Sequence, residues 1–416
     1  MENMKKLLRE VLEEIRPDRE YEDEILERAE KIISAINKGL KGAKALLGGS
    51  GAKGTWLKTF DADIFVKFNY KKYKDKDDKL SDILESFMKR HFKLIRLHGS
   101  RDYFQIRQGN FTFEVVPILD IKKAADAKNI TDVSPLHAEF VLKHKKLADE
   151  IRLTKQFFKA AGIYGAESYI RGFSGYVCEI LTICYGSFLA LLKASSKWKE
   201  KEAIDIKNYY RGKNILMELN KSKLVSPLIV IDPVQKDRNA AAALDNEKFE
   251  ILKHRAKEFL KKPSREFFEV KHITPQDLIK KFGEKNILLI GVAPLDRKED
   301  VAGAKMLKAF HFIEQNLGHY GFKVIESDML WHGKGSSLFY YALKSSKLEK
   351  TIEIQGPPLR MKMHVESFKK KHKKTLVKGN KIFAVGSRQF PDAKLLLKHL
   401  FKSDNIKDNA KSIEMV

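Results

Sequence analysis

Leu7, Leu8, Val11, Leu12 and Ile15 recur at three- and four-residue intervals, which predicts one or two amphipathic helices over residues 1 to about 40, with Pro17 ending the first. After Gly39 the pattern changes. A glycine-rich turn, GGSGAKGTW, leads into the alternating run ADIFVKF, and FKLIRL, YFQIRQ and FTFEVVPIL predict further strands. From Ser134 to about Leu260 the helical period returns, with Leu153, Phe157, Phe158 and Ala161 on one face and the apolar run from Tyr176 to Leu192 behind them. That run approaches the length of a short membrane span, but Glu179 interrupts it and Gly186 and Ser187 weaken it, so a buried helix is expected. Pro263 and Ser264 mark a linker into a third region. There NILLIGVAP predicts a strand, Met306, Phe310, Ile313 and Leu317 a helix, and FKVIESDM, SSLFYYALK and EKTIEIQGP three more strands. The order β-α-β-β-β suggests one small sheet with a helix on one face. The aromatic stacking signature of an RNA-recognition motif is absent from it.

The expected fold class is therefore α+β and multidomain: a mixed-sheet domain over 1–140, a helical domain over 141–262 and an α/β body with a basic tail over 263–416. A length of 416 residues suits two to four domains at roughly 100–200 residues each. With 43% hydrophobic and 32% charged residues the chain is too apolar for disorder and too polar for a membrane bundle. Its 80 basic and 55 acidic residues leave a net charge of +25, which implies a polyanionic partner such as nucleic acid. The run KKKHKK, Lys369 to Lys374, concentrates that charge, although such runs are often merely solvated. Two cysteines, Cys178 and Cys184, lack disulfide or zinc spacing and point to a reducing compartment. The amino-terminal segment mixes both charges and does not resemble a signal peptide. A cytoplasmic protein with no membrane partner is expected.

The densest chemistry lies in Gly48-Gly49-Ser50-Gly51-Ala52-Lys53-Gly54-Thr55, followed by Asp61-Ala62-Asp63. Asp61 and Asp63 are two apart at the head of a strand, so both side chains reach the same face. Glu114, an acidic residue inside the apolar strand FEVVP, is the natural third ligand, because a buried carboxylate needs a charged companion. Three hard oxygen donors suit Mg²⁺. The glycine turn, with the Ser50 hydroxyl and the Lys53 ammonium, could hold a triphosphate, and GxxxxGK[ST] is missing, so this is not a P-loop.

These motifs resemble the DNA polymerase beta-like nucleotidyltransferases. The continuation is more specific: GIYGAE from Gly162, RGFSGY from Arg171, and Asp232-Pro233-Val234 with Arg238-Asn239 are similar to the archaeal, class I CCA-adding tRNA nucleotidyltransferases. The resemblance implies addition of C, C and A to the tRNA 3′ end from CTP and ATP, by two-metal transfer with Mg²⁺ as cofactor and release of pyrophosphate. It implies metal-binding carboxylates at Asp61, Asp63 and Glu114, and a phosphate loop with Ser50 and Lys53. His137 matches a nucleotide contact, Lys155 and Tyr164 match triphosphate and sugar contacts, and Arg238 matches the arginine that reads the base. Before the resemblance, Arg238 reads equally as an ion-pair partner of Asp232 or Asp237. The sequence departs from the family in having Asp61 for Glu, Glu114 for Asp and Lys53 for Arg. Two rival readings stay open, a poly(A) polymerase-like terminal adenylyltransferase and a catalytically silent tRNA-binding relative. A homodimer is also left open.

Overall fold

A computed structural model describes residues 2–58, 62–331, 333, 335–372 and 374–416. The chain divides into two compact units, Met1–Lys271 and His272–Val416.

The first unit contains two large hydrophobic cores and a small one at Leu219, Ile229 and Ile231. It opens with helices α1 (Glu2–Ile15) and α2 (Arg19–Gly39), then β1 (Ala43–Leu47), the one-turn helix α3 (Gly49–Lys53) and β2 (Ala62–Asn69). Helices α4 (Tyr70–Tyr73) and α5 (Leu80–Met88) and strands β3 (Leu94–Leu97), β4 (Tyr103–Gln108) and β5 (Phe111–Asp120) complete a five-stranded sheet in the order β1-β2-β5-β4-β3. Only the β2–β5 pairing is parallel. Ala62, Ile64, Val66 and Phe68 alternate onto one face, where they bury against Ile25, Ile32 and Ile36 of α2 and Leu80 and Leu84 of α5. The opposite face carries Asp63 and Glu114.

The second core is helical. It is built from α6 (Ser134–Leu142), α7 (Ala148–Ala160), α8 (Gly175–Tyr185), α9 (Phe188–Ser195) and α11 (Asn246–Lys261), around the aromatic cluster Phe157, Phe188, Phe259 and Phe268. A small sheet, β6 (Glu202–Ile204), β7 (Leu228–Asp232) and β8 (Gln235–Asn239), flanks it, with the short α10 (Ile215–Glu218) in the preceding loop. Helix α1 joins this core through Val11 and Ile15 rather than the sheet beside it in sequence. The apolar run expected as one helix is two, α8 and α9, meeting at 94°. Gly186 makes the bend with a left-handed φ of 77°, which a side chain would resist, and Ser187 then caps α9 by accepting from the Ala190 amide. Among the described residues no single helix is long and apolar enough to cross a membrane.

The second unit has its own core. Strands β9 (Ile287–Ala293), β10 (Val324–Leu330), β11 (Ser337–Leu343) and β15 (Ser412–Met415) form an antiparallel sheet ordered β10-β11-β9-β15. Period two divides β9: Leu288, Ile290 and Val292 pack under α13 (Glu299–His319) and α15 (Ala393–Leu400), while Ile287 and Leu289 face α12 (Pro275–Phe282). The expected single sheet is corrected in one element. The strand read from EKTIEIQGP, β12 (Thr351–Pro358), pairs instead with β14 (Lys381–Ser387), which also takes β13 (Thr375–Lys378), and α14 (Lys362–Lys371) packs on that separate sheet. Lys369 to Lys371 thus close a helix, Lys373 lies outside the described residues, and α16 (Asp404–Lys407) precedes the last strand.

Candidate active site

The parallel register places Asp63, near the head of β2, directly beside Glu114 within β5, so both half-buried carboxylates stand on one face. Asp61 lies outside the described residues. Between β1 and β2 the chain turns through Gly48 and Gly49 into α3, and the Gly48 amide donates to the Asp63 carbonyl at 2.7 Å. Gly49 cannot be another residue here: its φ is +53°, and a Cβ would fall 1.6 Å from Asp63 Oδ2. The glycine turn and the Asp63 carboxylate are therefore in van der Waals contact, with Ser50 in the first turn of α3. Its first-turn amides have no intrahelical acceptor.

Lys53 ends α3 and reaches across to the helical core, where its Nζ lies 2.7 Å from Glu179 Oε2. Lys155 Nζ donates to the other oxygen of the same carboxylate at 2.8 Å and to Thr55 Oγ1 at 3.0 Å. Thr55 Oγ1 in turn lies 2.9 Å from Glu179 Oε1. Burial works to raise the Glu179 carboxyl, but the charges and hydrogen bonds of Lys155 and Lys53 outweigh it and hold it down at about 2. Burial also leaves Lys155 below the ordinary lysine range, although Glu179 works against that. Glu179 is thus a fixed anion shared by two cations, and the residue that interrupts the apolar run in sequence is a structural centre of the site.

Tyr164 sits beside this group. Its hydroxyl approaches the backbone of Gly175, where a Cβ would lie 2.7 Å away, and Lys159 Nζ stands 5.2 Å from its ring centroid. Burial, with the charges of Cys178, Glu179, Glu167 and Asp63, raises the Tyr164 hydroxyl well above its usual range, so it stays protonated. Lys159, one helical turn after Lys155, is half-buried and has no carboxylate partner among the described residues; burial, with Lys155 beside it, lowers its pKa. Sequence reasoning passed over it, although the i,i+4 spacing puts both lysines on one face of α7.

The remaining expected residues, His137 and Arg238, meet at a different point. Asp232, at the end of β7, is fully buried and accepts from Arg238 Nη1 at 2.6 Å, with His137 Nε2 3.1 Å away on the same oxygen. The His137 ring stacks on Tyr176 with centroids 3.9 Å apart. Val234, in the turn after Asp232, packs against both cores, so this cluster lies at their seam. Of the two partners open to Arg238, the structure selects Asp232. Asp63, Glu114, Ser50 and Lys53 thus come together along the sheet face, Lys155 and Tyr164 join them through Glu179 and Asp63, and His137 with Arg238 forms the second cluster. Among the described residues no group of three His, Cys, Asp or Glu is placed to hold a metal ion.

Three family models match the chain in succession. "Nucleotidyltransferase domain" matches residues 26–147, "tRNA nucleotidyltransferase, second domain" matches 149–269, and "CCA-adding enzyme, C-terminal domain" matches 288–413. The CCA-adding enzyme of Nanoarchaeum equitans is 36% identical over 88% of this chain and 89% of its own length. That of Methanosarcina barkeri is 31% identical over 93% of this chain and 87% of its own. Among solved structures, a cytoplasmic RNA terminal U-transferase superposes with a TM-score of 0.52 at 13% identity, covering 66% of this chain and 100% of that one. A poly(U) polymerase solved with MgATP gives 0.52 at 13% identity over 65% of this chain and 99% of its own. At that identity the likeness concerns the fold, a nucleotidyltransferase layer of mixed α+β type. The relatives share both sequence and length with the protein, and the chain belongs to the family of CCA-adding enzymes.

Proposed function

We propose that the protein completes the 3′ end of tRNA, adding C, C and A from CTP and ATP without a template. The ordered match of three family models over residues 26–413 carries this reading. The sheet layer supplies the reacting groups, the helical layer closes the nucleotide pocket, and the second unit, with Lys369 to Lys371 on α14, supplies tRNA affinity through phosphate contacts. Two unpaired cysteines support a reducing compartment, and we place the enzyme in the cytoplasm.

The reaction is attack of the tRNA 3′-oxygen on the α-phosphorus; the bond to the β-phosphate oxygen breaks, pyrophosphate leaves, and no covalent enzyme intermediate is required. Asp63 and Glu114, side by side in register, present hard carboxylate oxygens that fit Mg²⁺, with Asp61 as the expected third ligand. When bound, the ion supplies Lewis acidity at the hydroxyl and the phosphates. The protein's own residues do the rest. Ser50 and the first-turn amides of α3 face the triphosphate, while Lys53, Lys155 and Lys159 set three cations against one buried anion, Glu179, a surplus that a polyphosphate would neutralise. Tyr164, held protonated, donates at the sugar or phosphate. Arg238 carries donors for the base edge.

The test incubates the protein, and an Asp63→Ala control, with tRNA ending at the discriminator base, Mg²⁺, and CTP, ATP, UTP or GTP singly and together. Two C residues and then one A, lost in the control while tRNA binding persists, is the expected result. Unlimited ATP-only tailing would make it a terminal adenylyltransferase, and binding without incorporation would make the site silent.

A further inference from the structure

We propose that Asp232 is a specificity-determining positioning residue: it fixes Arg238 and His137 as one rigid reader of the incoming base. The inference rests on the CCA-adding reading above and extends it to a residue that touches neither base nor phosphate.

Four donors converge on this carboxylate. Oδ2 accepts from Arg238 Nη1 at 2.6 Å and lies 3.1 Å from His137 Nε2; Oδ1 accepts from the Val234 amide at 2.9 Å and from the Tyr176 hydroxyl at 3.3 Å. A carboxylate offers about four lone-pair sites, so every one is used. Burial works to raise Asp232, but the hydrogen bond and charge of His137, the Val234 amide and the charge of Arg238 outweigh it and hold the group below the usual range. It is therefore an anion that only accepts. The His137 nitrogen that faces it, Nε2, therefore acts as the donor. The Tyr176 ring stacked at 3.9 Å removes the remaining rotation of His137.

Unused capacity faces the other way. Arg238 Nε and Nη2 and His137 Nδ1 have no partner among the described residues, and the Arg238 side chain remains 33% exposed. Cytosine and adenine share a ring-nitrogen acceptor next to an exocyclic amine, whereas uracil and guanine present a ring N–H next to a carbonyl. A guanidinium held in place meets an acceptor in the first pair and a like donor in the second. One free to pivot can instead reach the carbonyl oxygen of U or G. Rejection of the wrong bases then depends on how tightly Arg238 is held, and the holding is done by Asp232, whose position in the Asp232–Val234 turn is fixed where the two cores meet.

Asp232→Asn keeps shape and volume but replaces two of the accepting lone pairs by N–H donors, so one of its two donor pairs faces a repulsive group. The experiment measures kcat/KM for CTP and for UTP on tRNA ending at the discriminator base, in wild type, Asp232→Asn and Tyr176→Phe. The expected result is a C-over-U preference reduced at least about tenfold in Asp232→Asn, as befits loss of a charge-assisted hydrogen bond. Tyr176→Phe, which removes one donor without burying a new one, should reduce it about threefold. A general loss of structure lowers kcat for both nucleotides and leaves the ratio alone. An unchanged ratio in a folded Asp232→Asn protein overturns the inference. Should that variant fail to fold by circular dichroism, an unchanged ratio in Tyr176→Phe overturns it instead. Failure of wild type to add C, C and A would refute the underlying reading, and is seen separately in the same assay.

Discussion

Glu179 offers the sharpest test of the buried charge cluster. It is fully buried, and its two oxygens hold Lys53 at 2.7 Å and Lys155 at 2.8 Å. Glu179→Gln preserves the shape and leaves both ammonium groups without a counter-charge. Lowering the carboxyl from an ordinary 4.5 to about 2 corresponds to about 3 kcal/mol at about 1.4 kcal/mol per pH unit. Removing one partner of a buried pair generally costs about 3–5 kcal/mol, so the two figures agree in size. For a unit of this length each kcal/mol moves the midpoint by about 2–4 °C, which predicts a Tm lower by roughly 6–12 °C at pH 7. Thermal unfolding followed by tryptophan fluorescence reads this, since Trp56 and Trp198 are buried in the first unit. The sign with pH follows from the depressed folded-state value. The stabilisation is complete above about pH 4.5 and disappears as pH falls through about 2, so the gap between wild type and variant should close in acid. Lys155→Met leaves Glu179 paired with Lys53 and should cost less. A Glu179→Gln protein within about 1 kcal/mol of wild type at pH 7 would refute the account.

Three other outcomes follow from the geometry. Gly49→Ala puts a methyl group into the space of Asp63 Oδ2, at a backbone angle that disfavours it, and should lower the rate of C addition by about a hundredfold or more with the fold intact by circular dichroism. Lys159→Gln should raise KM for CTP and ATP by the same factor, about tenfold, with kcat little changed in steady-state assays, because a triphosphate cation does not distinguish bases. Replacing Lys369, Lys370 and Lys371 by Gln should flatten the dependence of log Kd for tRNA on log salt by up to about three, read by filter binding across a salt series; an unchanged slope would remove this helix from the tRNA surface.

The parts of the site legible in sequence are those whose logic is local. Period two at Asp63, a carboxylate inside an apolar strand at Glu114, and a glycine turn before them each carry their reason within a few residues. What sequence concealed are partnerships over long separations: Lys53 with Glu179, and His137 with Asp232, lie 126 and 95 residues apart. Glu179 showed its signal, a charge in an apolar run, but that signal says only that a partner exists. The same limit explains the fold. Helix α1 was legible as amphipathic but its core was not, and β12 was legible as a strand while its partner, β14, lay beyond the basic run.

The attachment of α1 has a further consequence during synthesis. Its apolar face, Val11 and Ile15, is covered in the core that also contains Phe259 and Phe268. Those residues leave the ribosome about 250 positions later, a delay of roughly 10–50 s at about 5–20 residues per second. Helix α7, against which α1 packs, follows it by about 140 positions, so α1 waits roughly 7–28 s for its first partner and longer for the rest of its core, and the sheet core between residues 25 and 133 can condense before it docks. The helix that precedes the sheet in the chain thus docks after the sheet can fold.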